Sequence, residues 1–242
     1  MFMKNIVIIG ASGHGGVVLD CIEKEGKYNV VGFIDSFKKI GLSQSGYPVL
    51  GTEYDLPYII SAYNIEGGIV AVGDNWARKL LVDRVLHIVP EFNFVKSIHP
   101  NAIIAKNVSV GEGTVIMPGA IVNSGSVVGK FCILNTNSSL DHDGIIGDYS
   151  SLAPRVSTGG NLILGCFSAV CLGVNIIENI EIGDHVVIGA GALVVNHVPS
   201  KVVAFGAPAK VIRTRVVGDV YLGRNSHASY HKMQFLKEVG GV

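Results

Sequence analysis

From Ile98 to Val194 an aliphatic residue recurs at every sixth position: Ile98, Ile104, Val110, Ile116, Val122, Val128, Leu134, Leu140, Ile146, Leu152, then Leu164, Val170, Ile176, Ile182, Ile188 and Val194. Thr158 is the one interruption. A period of six fits neither the 3.6-residue helix nor an alternating strand, but it fits a solenoid whose short strands meet at regular corners, each coil resting on the last. The residues four places further on are often small (Ala102, Thr114, Ala120, Ser126, Cys132, Ser138, Ser150, Ser168, Ala192), as a narrow interior shared with bulky neighbours requires. Gly111, Gly129, Gly147, Gly165 and Gly183 follow aliphatic positions at a spacing of eighteen. Three hexapeptides per repeat imply a three-sided coil with similar corners stacked in line, whereas a Val- and Ile-rich β-sandwich would have strands of variable spacing.

Lys plus Arg equals Asp plus Glu, giving zero formal net charge. With no Lys/Arg run, neither a nucleic acid nor a membrane surface has electrostatic support as a partner, which points to a small-molecule ligand. Cys21, Cys132, Cys166 and Cys171 form no CxxC pair and sit inside periodic segments, as reduced packing residues of a cytoplasmic protein do. No metal site is expected. The apolar run in MFMKNIVIIG is too short for a signal sequence or a membrane span, so a soluble protein is expected.

The N-terminal third alternates strands and helices, which argues a small parallel sheet. Lys4 to Ile9 reads as a strand, followed by the turn Gly10-Ala-Ser-Gly13-His14-Gly15-Gly16 and a helical pattern through Val17, Val18, Cys21 and Ile22. Such a turn lets backbone N–H groups at a helix N-terminus approach a phosphate. Its spacing is GxxGxG rather than the GxGxxG of dinucleotide sites, which argues against a dehydrogenase. A second strand, Tyr28 to Ile34, ends in Asp35, at the distance where an acidic residue meets a ribose hydroxyl, although a plain turn aspartate reads equally well. Pro48 to Gly51 reads as loop, Asp55 to Tyr63 as a short helix, Gly68 to Val72 as a third strand, and Trp76 to Ile88 as a helix.

A small βαβ unit carrying GASGHGG, GFID and VGDNWARK, then a hexapeptide coil, resembles the hexapeptide-repeat acetyltransferases acting on nucleotide-linked amino sugars and the sialic acid O-acetyltransferase-like proteins. The resemblance covers residues 4 to about 215. It implies a Rossmann-like nucleotide-sugar-binding domain (1–95), a left-handed parallel β-helix binding acetyl-coenzyme A (96–215), and a C-terminal extension of no assigned role (216–242). Handedness comes from the resemblance alone, since the general crossover rule would give a right-handed coil. By the resemblance, Gly13, His14, Asp35, Asn75, Arg78 and Asn135 become acceptor contacts. Ser151, Gly160, Leu172, Gly173, Ala190 and Lys210 would lie near acetyl-coenzyme A, with Lys210 or Arg213 reaching its phosphates. The implied reaction is acetyl transfer to the amine of a nucleotide-linked 4-amino-4,6-dideoxy sugar for a bacterial surface glycan. O-acetylation of a sialic acid-type sugar and a non-catalytic scaffold are the alternatives. A homotrimer with active sites between subunits is also implied, as a prism with leftover apolar outer residues allows.

The sharpest chemical signal is Asp141-His142-Asp143, a histidine between two carboxylates where no core role calls for either. Acetyl transfer from a thioester needs a base for the nucleophile's proton, and neutral imidazole, with an ordinary pKa of about 6.5, suits that role near neutrality. His142 is the expected base and Asp143 its orienter. Adjacent strand residues face opposite ways, so Asp143 reaches His142 only if the chain turns there; otherwise Asp141 or the next coil supplies the partner. Ser151 stands where many relatives carry a second histidine. A serine can donate one hydrogen bond but does not titrate near neutrality. His227 and His231, four apart, read as a surface segment rather than a metal site.

Overall fold

The six-residue column turns inward. In the computed structural model, which describes residues 3–219, 221 and 222, Ile116, Val122, Val128, Leu134, Leu140, Ile146, Leu152, Leu164, Val170, Ile182 and Ile188 are at most 1% exposed and form one continuous core. Two-residue strands from Ser97–Ile98 to Asn175–Ile176 each pair in parallel with the strand eighteen residues on, as Ile121 does with Ser139 and Val127 with Ile145. Three parallel sheets result. Ile121, Ser139 and Ser157 belong to the first face of the prism, Val127, Ile145 and Ile163 to the second, and Val115, Ile133, Ser151 and Ala169 to the third. A hairpin, Val202–Gly206 and Ala209–Thr214, extends the third face.

The glycine corners are demanded by contact: a Cβ on Gly111 would lie 2.6 Å from the Gly129 carbonyl of the next coil. The small polar column does more than fit. Thr114, Ser126, Ser150 and Ser168 each donate a side-chain hydrogen bond to a carbonyl fifteen residues on, at 2.7–2.8 Å. They also accept a backbone N–H from the coil above, as Thr114 does from Cys132 and Ser150 from Ser168. Polar atoms in a dry interior are thereby satisfied.

One edge of the prism, between the second and third faces, carries an aromatic ladder. Phe131, Tyr149, Phe167 and His185 stack at 4.9, 5.2 and 4.7 Å between centroids, each from a left-handed corner residue with φ of 53–58°. The column had no place in the hexapeptide pattern because its residue types differ, though its period of eighteen was in the sequence.

The N-terminal unit contains β1 (Lys4–Ile9), α1 (Gly13–Glu25), β2 (Tyr28–Ile34), β3 (Ser43–Gln44), β4 (Tyr47–Gly51), α2 (Leu56–Tyr63), β5 (Ile65–Val70) and α3 (Asn75–Ile88). Two expectations fail here. The stretch expected as a loop at Pro48 to Gly51 lies in β4, whose Val49 pairs with Phe33 and is 1% exposed; one proline at the start of a strand near the sheet edge did not prevent pairing. The third strand is Ile65–Val70, not Gly68 to Val72, because Val72 has left the sheet and gives its carbonyl to Arg78. Strand order is β3-β4-β2-β1-β5, parallel except for the β3 edge. The chain therefore leaves β1 on one side and returns to β5 on the other, creating a crevice beyond their carboxyl ends.

This unit docks on the third face and the aromatic edge. The Cys21 thiol of α1 lies 3.6 Å from the Ile116 carbonyl, and Phe94 packs edge-on to Phe131 at 5.1 Å. Among the described residues no helix is long and apolar enough to cross a membrane, and the four cysteines are free. Burial pushes Cys132 up to about 12, so it is an inert thiol. His227 and His231 lie outside the described residues.

Candidate functional site

His142 stands on the edge between the first and second faces. Asp143 takes a left-handed φ of 57°, so the chain does turn between the two residues. That turn brings the Asp143 carboxylate 2.9 Å from His142 Nδ1. A carboxylate only accepts at neutral pH, so Nδ1 carries the proton and Nε2 offers its lone pair to solvent. The Asp143 hydrogen bond, helped by the nearby Asp141 charge, raises the His142 pKa above its ordinary value. The Asp141 carboxylate acts differently, accepting from the His142 backbone N–H and from Asn123, each at 2.8 Å, and so fixes the corner. Thr158, the break in the aliphatic column, explains itself here, since its hydroxyl accepts the Asp141 N–H at 3.2 Å. Gly160, one coil on, supplies room: a Cβ there would lie 2.5 Å from both Cε1 and Nε2 of the imidazole.

A second feature lies at the crevice beyond β1 and β5. There a cavity of about 400 Å3 is lined by His14, Gly73, Ile133, Asn135, Ser151, Leu152, Ala153, Pro154, Cys171, Leu172, Tyr221 and Leu222. The aliphatic members make it mostly apolar. His14, at the second position of α1, keeps Nε2 buried and without a hydrogen-bond partner among the described residues. Burial, reinforced by the Arg78 charge, lowers its pKa to about 4, so the ring is neutral at pH 7. Gly13 opens α1 with no neighbour where its Cβ would be, and the first turn holds no acidic side chain.

The expected acceptor contacts divide. Asp35 braces the glycine turn, accepting the Ala11 N–H at 2.8 Å on one oxygen and the Phe37 and Lys38 N–H groups on the other. Arg78 is 0% exposed, and its five N–H donors go to the Phe131, Val72, Gly73 and Tyr149 carbonyls and to Asn75 Oδ1. Asn75 in turn donates to the Ser168 carbonyl at 3.0 Å. Both residues were expected at a nucleotide sugar. They bolt the N-terminal unit to the coil, and the guanidinium directs all five of its donors to groups within the chain.

The expected coenzyme contacts also fall on different edges. Gly160 lies beneath His142, whereas Asn135, Leu172, Gly173 and Ala190 follow one another on the edge between the third and first faces. Lys210 is exposed on the hairpin, and Arg213 is taken up by Asp219 at 3.3 Å. Ser151 is nearly buried, and its hydroxyl meets Tyr221 Oη at 3.3 Å. Sequence reasoning missed Tyr221, which no motif marked.

Residues 5–85 match the PglD N-terminal domain family. UDP-N-acetylbacillosamine N-acetyltransferase from Bacillus subtilis (strain 168) is 35% identical over 121 residues, 48% of this chain and 52% of that protein, so the match spans about half of that relative's length. Among solved structures, a histidine-to-asparagine variant of perosamine N-acetyltransferase from Caulobacter crescentus, in complex with CoA and GDP-perosamine, superposes with a TM-score of 0.81. It is 31% identical, and the match covers 88% of this chain and 98% of that one. The acetyltransferase domain of PglB from Neisseria gonorrhoeae FA1090, in complex with acetyl coenzyme A, gives a TM-score of 0.80 at 30% identity over 87% of this chain and 100% of that one. The coil shares the left hand of these neighbours, against the general crossover rule.

Proposed function

This chain belongs to the hexapeptide-repeat nucleotide-sugar N-acetyltransferases, and on that premise we propose that it transfers an acetyl group from acetyl-coenzyme A to the amine of a nucleotide-linked 4-amino-4,6-dideoxy sugar. The observation that carries the reading is the His142–Asp143 pair at 2.9 Å on an otherwise structural corner. As the sugar amine attacks the thioester carbon, His142 Nε2 takes its proton while Asp143 steadies the imidazolium. Collapse of the tetrahedral intermediate breaks the C–S bond, and the imidazolium returns the proton to the departing thiolate. Attack is direct, without an acyl-enzyme. A positioned base of this kind contributes about 10²- to 10⁴-fold.

The apolar cavity beside His14 suits a sugar that has lost its 6-hydroxyl, and the α1 N-terminus behind it suits the diphosphate. That cavity and His142 lie on different edges of the prism. Asn135 and Asp141 are separated by a full face, six residues that span at most about 20 Å. We therefore pair the base with a neighbouring subunit's cavity in an oligomer. Val127, Ile145 and Ile163 form an outward stripe on the second face, 43%, 44% and 46% exposed in the single chain, and this stripe supports packing of three copies about a three-fold axis.

The test is to mix the protein, acetyl-coenzyme A and a panel of UDP-, GDP- and dTDP-linked 4-amino-4,6-dideoxy sugars, following thiol release and product mass. An alkali-stable acetamide is expected. Thiol release only with hydroxyl acceptors, giving an alkali-labile ester, would assign O-acetylation instead, and no release with any acceptor would overturn the reading.

A further inference from the structure

The segment after the hairpin crosses the junction of the two units. Arg215 donates to the His185 carbonyl at 3.1 Å and to the Asp219 carbonyl, which turns the chain. Gly218 passes so close to Trp76 that a Cβ would lie 3.2 Å from the indole nitrogen. Leu222 then covers Gly73, with Cδ1 3.2 Å from where a Cβ on that glycine would be. Between them Tyr221 enters the cavity beside His14, with Oη 3.2 Å from the Gly73 carbonyl, 3.3 Å from Asn75 Oδ1 and 3.3 Å from Ser151 Oγ.

Proton accounting orients these groups. The Gly73 carbonyl and Asn75 Oδ1 only accept, so the phenol proton points to them. Among the described residues, the Ser151 hydroxyl is then the neighbour able to donate to Tyr221 Oη. Ser151 therefore faces the cavity with lone pairs, not with the donor expected from its sequence position. The phenol also links the N-terminal unit to the coil across the cavity wall, so the cavity's width depends on it. The perosamine N-acetyltransferase match covers 98% of that chain but 88% of this one, leaving part of this chain without a counterpart there.

We infer that Tyr221 is a specificity-determining residue that forms one wall of the acceptor-sugar pocket and holds Ser151 in its accepting orientation. The inference rests on the proposed acetyl transfer and adds to it a selection device carried by the C-terminal segment. A wall that touches the sugar but not the thioester acts on acceptor binding more than on turnover.

The experiment compares full-length wild type with Tyr221→Ala, Tyr221→Leu and Tyr221→Phe, measuring KM for the amino-sugar nucleotide, KM for acetyl-coenzyme A, kcat and Tm. Tyr221→Ala and Tyr221→Leu should raise the acceptor KM by about tenfold or more while acetyl-coenzyme A KM and kcat move by less than about threefold. Tyr221→Phe, which keeps the ring but loses the hydroxyl that holds Ser151, should give an acceptor KM between those of wild type and Tyr221→Leu. The inference is overturned if Tyr221→Leu keeps the wild-type acceptor KM, or if both KM values and kcat decline together with Tm, as a merely structural role dictates. Should Tyr221→Ala fail to fold, Tyr221→Leu decides. A wild type that transfers acetyl to no acceptor instead removes the proposed function, and this inference with it.

Discussion

Replacing Gly160 by alanine tests the His142 assignment without touching the histidine. The new Cβ would lie 2.5 Å from Cε1 and Nε2 of the imidazole, and ordinary carbon contacts begin near 3.5 Å, so the ring must retreat by about 1 Å. Its anchor cannot stretch to follow: the Nδ1–Asp143 hydrogen bond is 2.9 Å long, and a further 1 Å would end it. A 1 Å misplacement of a reacting group costs about 10²-fold. The fold should not suffer, because Gly160 is outside the left-handed region and losing a glycine from the unfolded chain favours folding by about 0.4–1 kcal/mol. The exposed imidazole can swing away at little cost. We therefore expect kcat to fall about 100-fold with Tm within about 2 °C of wild type. Thiol release at saturating substrates and scanning calorimetry measure the two quantities. A variant keeping more than a third of wild-type kcat, or losing activity only in step with Tm, would refute the reasoning.

Asp143→Asn removes the hydrogen bond that raises the His142 pKa; since the base works neutral, the acid limb of a kcat–pH profile should move to lower pH, and an unmoved limb would exclude the pairing. Ile145→Asp places a charge in the stripe of the second face, so light scattering should report a monomer with little activity although His142 is untouched. Asp35→Ala leaves the Ala11, Phe37 and Lys38 N–H groups without their acceptor and should raise the sugar-nucleotide KM far more than that for acetyl-coenzyme A; equal effects would deny the division of labour between the domains. His14, with its pKa lowered to about 4, adds stability above pH 6.5 that is lost as pH falls toward 4. Urea midpoints at pH 7 and pH 4 should show this loss to be smaller in His14→Asn by roughly 3 kcal/mol.

The coil was legible because its signal is periodic and its cause is steric: one buried position in six admits only an aliphatic residue, and any chain so built must repeat. The His142 corner was legible for the opposite reason, as charge where the pattern predicts none. What escaped the sequence depends on partners distant along the chain. Arg78 was expected at the acceptor through the family resemblance alone. Its fate was decided by the Phe131 and Tyr149 carbonyls, 53 and 71 residues away. Thr158 was visible as an irregularity, but its meaning required the coil register that sets it under Asp141. Tyr221 carried no local signal, and only the path of the chain over Trp76 brings it to Ser151.

The two histidines near the reaction are tuned in opposite directions, and this decides their roles. His14 is desolvated beside a buried guanidinium, and a base whose conjugate acid has a pKa of about 4 holds a proton poorly. Against an ordinary imidazole it gives up roughly 3 kcal/mol of proton affinity. His142 faces solvent with a carboxylate on Nδ1, which raises its proton affinity above that of an ordinary imidazole. On the proposed reading, proton removal from the attacking amine therefore falls to His142, and His14 is left as a neutral polar point in an apolar cavity, suited to orienting a sugar. Pairs of titratable groups driven apart in this way mark acid–base assignments. Here they also lie on separate edges of one prism, which is why the proposed reaction calls on a second copy.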